Sequence, residues 1–572
     1  MQDRNHPSFW TTLVLILAAM LAFSAPATAQ KMGTKDREFP AHGFEFKPLH
    51  AMLDAPVNDN LQRFGAIGQF KAEKSVPVKL EDGYRGMYDP TLMVVRLDPA
   101  APESGEQPKK DEEEEEEEES GKENGYVSIE TVVSIVSPGI QDAEWEDVEV
   151  ENVRISKDLD ATRYILEGRQ RMSTGSFMGL VVDTYEFPLG DYKIVMVWEY
   201  PAEKKYRSRW EKAIKKSMKS FDLLRGGAEE IDIDEVNSES SYEDLLAYHT
   251  HDVEQTPGWR LVETPTKQYL IKTNVEKKNR KDIDRVIERI EASRELYEKD
   301  FPPSREITSV SVVRVCATRD DFNLYGQTGG GVAGYFNPGS EELVLFFDNM
   351  MSEEATLSVM AHEGFHQYCH FLFNRSEAHR WFDEGHGDYY GAWKMRGGRL
   401  VPEEDMDGGL ARIPEIKSMH KMDKITPLSE HIRFSHPEWQ SQGPSNVSCY
   451  AQSFALIRFL RDGANGDVSR KYWKDEYSEI LPAYIESLST GYNDAYAAIQ
   501  AEAKEQLDAI AKTPGISQQQ KDVWQRRFDN PWDFLDRTEK AEIMDQAMTD
   551  SWGLIDEEEF EDRWLEYVDR VL

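Results

Sequence analysis

The chain has 572 residues, with 67 Lys and Arg against 106 Asp and Glu, giving a net charge of −39. That length suits roughly two to four domains of ~150 residues each, and 39% hydrophobic with 11% aromatic residues excludes wholesale disorder. The acidic balance argues against nucleic acid or an anionic membrane surface as main partner, and 3 cysteines without a CxxC pair exclude a disulfide scaffold and a thiolate zinc site.

Residues 1–29 read as a signal peptide. Arg4 supplies positive charge, Phe9 to Phe23 is an apolar run, and Ala27-Thr28-Ala29 makes a small-residue cleavage site before Gln30. The run falls short of the ~20 residues a bilayer span needs. The expectation is export to the periplasm or the cell exterior, cleavage, and no stable membrane insertion afterwards.

Residues 30–227 read as a β-rich α+β domain. Thr91–Leu97, Tyr126–Val133 and Tyr192–Trp198 are rich in β-branched residues and predict strands. Between the first two lies an acidic loop, 105–125, in which Asp111 and Glu112–Glu119 repel one another and stay solvated. Tyr206, Trp210, Ile214, Met218 and Phe221 recur at helical spacing, and Gly226-Gly227 ends that helix. Its Lys and Arg residues read as a solvated face. Acidic, polar residues 228–262 then read as a linker.

Residues 263–470 alternate strand and helix. Tyr269–Thr273 and Val310–Val315 predict strands flanking a helix at Lys281–Lys299. A glycine-rich stretch, Gly329 to Phe336, precedes a strand at Leu343–Phe347, which the resemblance named below implies would line a cleft and offer its edge to an extended peptide. Ser352 can cap the next helix, which contains His362-Glu363-Gly364-Phe365-His366. Histidines at i and i+4 stand about 6 Å apart along the axis, so both imidazoles can reach one metal ion. Glu363 lies beside them, placed to take the proton of a water: this is the HExxH arrangement. Cys369 and Leu372 stand where the metzincin variant needs Gly and His, and His370 lies about 12 Å from His362, too far to share the ion.

Eighteen residues after His366 comes Glu384, within Trp381-Phe382-Asp383-Glu384-Gly385-His386-Gly387-Asp388-Tyr389. On a returning helix Glu384 and Asp388 share a face. Glu384 can be the third ligand, with Asp383 or His386 as alternatives, and Asp388 can accept the N–H of a ligand imidazole. Three ligands leave an open position, which suits one catalytic Zn2+.

This stretch resembles the gluzincin zinc metallopeptidases, the group containing thermolysin and aminopeptidase N. Their pattern is HExxH followed by a ligand Glu, often within Trp-x-x-Glu-Gly-x-Ala-x-Tyr, and Trp381, Glu384, Gly385 and Tyr389 match it. Gly387 replaces the small Ala, and His386 adds an imidazole. The resemblance implies a zincin-like domain, a mixed sheet plus active-site helix, that hydrolyses a peptide or protein substrate with Glu363 as general base. It also implies a Tyr or His from a later segment that donates to the oxyanion. Tyr450, at the start of an apolar helix ending at Gly463, fits that place; Tyr389, Tyr390 and His386 compete, and a packing role stays open. No carboxylate occurs from Gly329 through Ser340, where aminopeptidases carry a Glu for the substrate amine, which favours endopeptidase action. A catalytically silent scaffold of the same fold and a zinc hydrolase of a non-peptide bond are the rival readings. Residues 471–572 are helical and polar, with Trp524, Trp532, Trp552 and Trp564. The expected fold class is α+β throughout, ending in this helical region. Nothing in the sequence fixes an oligomeric state.

Overall fold

The computed structural model describes residues 33, 35–99, 122–123, 126–157, 159–172, 175–224, 236, 240–303, 307, 309–326, 332–347, 352–402, 412–442, 447–513 and 517–572. The expected signal peptide, nearly all of the acidic loop, and Gly329–Gly331 lie outside these residues. The chain divides into two compact units, Met1–Ile233 and Asp234–Leu572. The first is β-rich and the second largely helical, an α+β architecture. No helix among the described residues is long and apolar enough to cross a membrane.

The first unit is built on an eight-stranded antiparallel sheet. Its strands are β1 (Met52–Ala55), β2 (Ala66–Ala72), β3 (Thr91–Leu97), β4 (Ile140–Gln141), β5 (Glu149–Arg154), β6 (Asp160–Arg171), β7 (Phe177–Pro188) and β8 (Lys193–Pro201). They run in the order β4-β6-β7-β8-β3-β2-β1, with β5 also paired to β6. The segment Tyr126–Val133, expected as a strand, is instead a two-residue bridge followed by helix α1 (Ile129–Val136). Ser128 caps it by accepting from the Thr131 amide at 3.2 Å. Ile129, Val132, Val133 and Val136 fall on one buried face, so helical spacing outweighed β-branched composition. Helix α2 (Lys204–Met218) buries Tyr206, Trp210, Ile214 and Met218 as their spacing predicts. It stops before Gly226-Gly227, because Phe221 leaves the helix to stack on Phe187 at 4.1 Å.

The second unit begins inside the stretch read as linker. Residues 228–262 hold helix α3 (Tyr242–Glu254) and most of strand β9 (Arg260–Glu263). The polar sequence hides them, since α3 buries only Val253 among its apolar side chains. Strands β10 (Tyr269–Thr273), β11 (Ser311–Cys316), β12 (Gly334–Asn337) and β13 (Glu342–Phe346) complete a mixed sheet in the order β9-β10-β11-β13-β12. β10, β11 and β13 are parallel, while β9 and β12 run antiparallel on the two edges. Side chains alternate across this sheet. One face packs Ile271, Val313 and Leu345 with Ile283, Val286 and Ile290 of helix α4 (Arg280–Asp300) and Leu357 and Met360 of α6, which spans Glu353–Leu372. The opposite face carries Lys272, Arg314 and Glu342, and α5 (Arg319–Gly326) sends Tyr325 to Glu342 there.

Behind α6 lies a helical layer: α7 (Arg380–Gly391), α8 (Ile413–Lys421), α9 (Val447–Ala464), α10 (Ile480–Ile510), α11 (Gln518–Asp529), α12 (Arg537–Trp552) and α13 (Glu557–Arg570). Phe365, Phe382, Phe454, Phe459, Tyr484, Trp552 and Trp564 belong to one buried cluster. Residues beyond 470 therefore share their core with the helices that precede them.

Candidate metal centre

Helix α6 starts where Ser352 accepts from the Ala355 amide at 3.2 Å, with Glu353 and Glu354 against its positive end. One turn apart along it, the Nε2 atoms of His362 and His366 come to 3.0 Å of each other. Helix α7 returns alongside and places Glu384 Oε2 at 3.2 Å from His362 Nε2 and 3.4 Å from His366 Nε2. The three donor atoms all lie within 4.8 Å of one another, as ligands of a single ion must.

Two glycines permit that approach. A Cβ on Gly387 would stand 2.8 Å from His362 Nδ1, and one on Gly385 would stand 2.9 Å from the Ser453 carbonyl of α9. At Gly387 the His362 imidazole lies directly against the helix and leaves no room for a side chain.

Each imidazole turns its Nδ1 to a carboxylate. His366 Nδ1 meets Asp383 Oδ1 at 2.8 Å, and His362 Nδ1 lies 3.1 Å from Asp388 Oδ1. The first is a hydrogen bond and turns the His366 Nε2 towards Glu384, while the second lacks hydrogen-bond geometry. Asp388 is fully buried, and its other oxygen accepts from Arg412 Nε at 2.9 Å. The outer oxygen of Glu384 accepts from Arg380 Nη1 at 3.1 Å. Neither alternative third ligand joins the cluster. Asp383 sits on the far side of the His366 ring. The His386 Nδ1–H donates to the Phe382 carbonyl at 2.7 Å, and its Nε2 accepts from Arg461 at 3.1 Å, so both ring nitrogens are taken. His370 turns to Glu341 at 3.3 Å, and Cys369 is buried packing.

Glu363 points towards the sheet, where its Oε2 accepts from the Phe336 amide at 3.0 Å. Burial raises its pKa against the opposing pull of His362 and His366. Phe336 belongs to β12, and β12 is the edge of the sheet; β13, expected to offer the edge, is enclosed between β11 and β12. The reason is the hairpin that returns β12 antiparallel onto β13. β12 lies hard against α6, where a Cβ on Gly334 would come within 2.8 Å of Val359 Cγ1.

Tyr450 enters from α9. Its ring is 6.3 Å from that of His362, packs edge-on against Trp439 at 5.6 Å, and has the Arg412 guanidinium over it at 5.5 Å. Burial and the nearby carboxylates of Glu384, Asp388 and Glu363 raise its pKa, which keeps the hydroxyl protonated and able to donate. Tyr389 is also buried, and Tyr390 donates to Asp300 at 2.8 Å.

The charge of the ring tests whether a metal belongs here. Carboxylates of Glu363, Asp383, Glu384 and Asp388 surround the imidazoles, and the guanidiniums of Arg380 and Arg412 answer two of them. Two of the four carboxylates are left without a guanidinium. Burial works to lower both imidazole pKa values, yet the carboxylates prevail and raise His362 to about 10 and His366 well above its ordinary value. Burial likewise opposes ionisation of Glu384, but the imidazoles hold its carboxyl well below the ordinary range. The ring calls for two positive charges, as two protons or as one divalent cation. The donor set of two imidazoles and one carboxylate fits zinc.

The sequence did not point to Arg412 or to Asp383 as the partner of His366. Arg380 was visible only as an i,i+4 partner of Glu384.

No family model matches the chain, and no curated protein matches it. Among solved structures, the Saccharomyces cerevisiae Ran-binding protein Mog1p aligns over 34% of this chain and 97% of its own, at 12% identity and a TM-score of 0.20. A point mutant of protein Mog1 aligns over 34% and 96%, at 12% identity and a TM-score of 0.21. Scores this low carry no argument about fold or activity.

Proposed function

We propose that this chain is a zinc-dependent peptidase of the gluzincin type, exported by way of its N-terminal leader. The observation that carries the reading is the meeting of His362 Nε2, His366 Nε2 and Glu384 Oε2 within 4.8 Å, with Glu363 on the next helical position. Those three side chains would hold the ion. A zinc ion bound there supplies Lewis acidity, which makes water nucleophilic near neutral pH and polarises a carbonyl.

The remaining steps belong to the protein. An extended peptide pairs with the edge strand β12, its backbone held by main-chain hydrogen bonds, which suits many sequences. Glu363 takes a proton from the attacking water and passes it to the leaving amine nitrogen. Its raised pKa matches that exchange better than an ordinary carboxylate would. The Tyr450 hydroxyl donates to the carbonyl oxygen as negative charge builds on it. The lack of a carboxylate from Gly329 through Ser340 supports cleavage within chains over removal of N-terminal residues.

The deciding experiment is metal analysis of the purified protein together with a peptide-library cleavage screen, with and without chelator. One zinc per chain and chelator-sensitive cleavage are expected; a zinc-loaded protein that cleaves nothing in the library overturns the reading.

A further inference from the structure

The two oxygens of Glu384 have different surroundings. Oε2 faces the two imidazole Nε2 atoms, while Oε1 accepts from Arg380 Nη1 at 3.1 Å. Arg380 sits one helical turn before Glu384 on α7, so the contact is built into the helix and does not depend on a loop. The other arm of the guanidinium, Nη2, donates to His436 Nδ1 at 2.6 Å. His436 opens a separate short helix, His436–Gln440, whose capping box of Ser435 and Glu438 fixes it in place. The planar fork is thus held from two sides, and the outer oxygen of Glu384 is occupied before any metal arrives.

We propose that Arg380 is a positioning residue that restricts Glu384 to one ligating oxygen, keeping the coordination number low and a position open for water and substrate. The proposal rests on the reading of the site as a zinc centre. A carboxylate released from this hold could turn both oxygens to the metal, filling the open position.

Two effects of removing Arg380 oppose each other, and that makes the idea testable. Loss of a nearby positive charge alone would strengthen the binding of a dication. Loss of an orienting contact to a ligand typically weakens it about 10–100-fold. The proposal requires the second to win.

The experiment compares the parental protein with Arg380→Gln, Arg380→Lys and His436→Ala, titrating each metal-free protein with zinc against a competing chelator. A parallel cobalt(II) titration reads the visible absorption, which is strong for four-coordinate cobalt and falls when a fifth donor is added. Arg380→Gln is expected to lower zinc affinity about 10–100-fold and to weaken the cobalt absorption. Arg380→Lys keeps the charge without the fork and is expected to fall between, and His436→Ala to move both readouts slightly in the same direction. Equal or tighter zinc binding by Arg380→Gln, or an unchanged cobalt spectrum in that variant, overturns the proposal. If Arg380→Gln shows no cooperative melting transition, His436→Ala decides alone, because that side chain is exposed and outside the core. A parental protein that binds neither metal overturns the zinc reading itself, and this proposal falls with it.

Discussion

Two clusters of buried charge lie in the second unit, and they are built to different accounts. On the sheet face opposite α4 and α6, Lys272 Nζ reaches Glu342 at 2.5 Å and Asp252 at 2.8 Å. Arg314 reaches Glu342 at 2.9 Å and Asp252 at 3.5 Å, and the Tyr325 hydroxyl donates to Glu342 at 2.5 Å. Two cations meet two anions, and His249 beside them, pushed down to about 3 chiefly by burial, adds no charge. That cluster is electrically closed. The ring around His362 and His366 is not: four carboxylates meet two guanidiniums, and only two protons or a divalent ion complete it. A cluster that supplies its own counter-charges holds the fold together, and one that needs protons or a cation at its imidazoles is a candidate functional site.

The contrast can be broken from either side. On the open side, Glu384→Ala is expected to have the largest effect, abolishing zinc binding and turnover together, because two imidazoles remain as ligands. Zinc stoichiometry measured after dialysis checks it; an unchanged value moves the third ligand elsewhere. Glu363→Gln separates chemistry from binding: zinc stays at one per chain while turnover falls by about 10²–10⁴, since an amide cannot accept the proton. On the closed side, Arg314→Met leaves Glu342 short of its main partner and is expected to cost about 3–5 kcal/mol of stability. Thermal melting reads that loss, and the zinc content of the folded protein should not move. The pH dependence has a defined sign. Burial raises the Glu342 pKa, but Arg314 and Lys272 outweigh it and hold the carboxyl below its ordinary 4.5. Its contribution to stability is therefore present above that ordinary value and is lost as pH falls through the depressed one. Arg314→Met should show a shallower loss of melting temperature in acid than the parent.

The open cluster was largely legible in the sequence and the closed one was not, for a physical reason. His362, Glu363 and His366 sit within one helical turn, and Glu384 and Asp388 within another, so helical spacing groups each set and the packing of α7 on α6 joins them. Lys272, Arg314 and Glu342 come from three strands whose order in the sheet is a tertiary fact. The same limit explains the edge strand: β12 follows glycines and has four residues, and only the hairpin to β13 shows that it lies outermost. Arg412 lies 24 residues from Asp388, with no repeat to connect them. Asp383 was legible as a possible ligand yet turns to the Nδ1 side of His366, a choice set by side-chain direction and not by spacing. At Ile129–Val136 the helical period was present in the sequence, but β-branched composition masked it.

Tyr450 tests whether the open ring extends to a neutral donor. Three features place it: a ring 6.3 Å from His362, a wall formed by Trp439, and a hydroxyl whose pKa is raised by burial and by the carboxylates of Glu384, Asp388 and Glu363. A phenol held protonated there would donate to an oxygen that gains negative charge in the transition state and not before. Its competitors are already engaged, with His386 held by Phe382 and Arg461, and Tyr390 held by Asp300. Losing one oxyanion donor costs about 10²–10³ in turnover. Tyr450→Phe keeps the ring and its packing on Trp439, so zinc content and melting temperature should stay near the parental values while kcat falls by that order. A kcat equal to the parent's would make Tyr450 a wall of the cleft and not a donor.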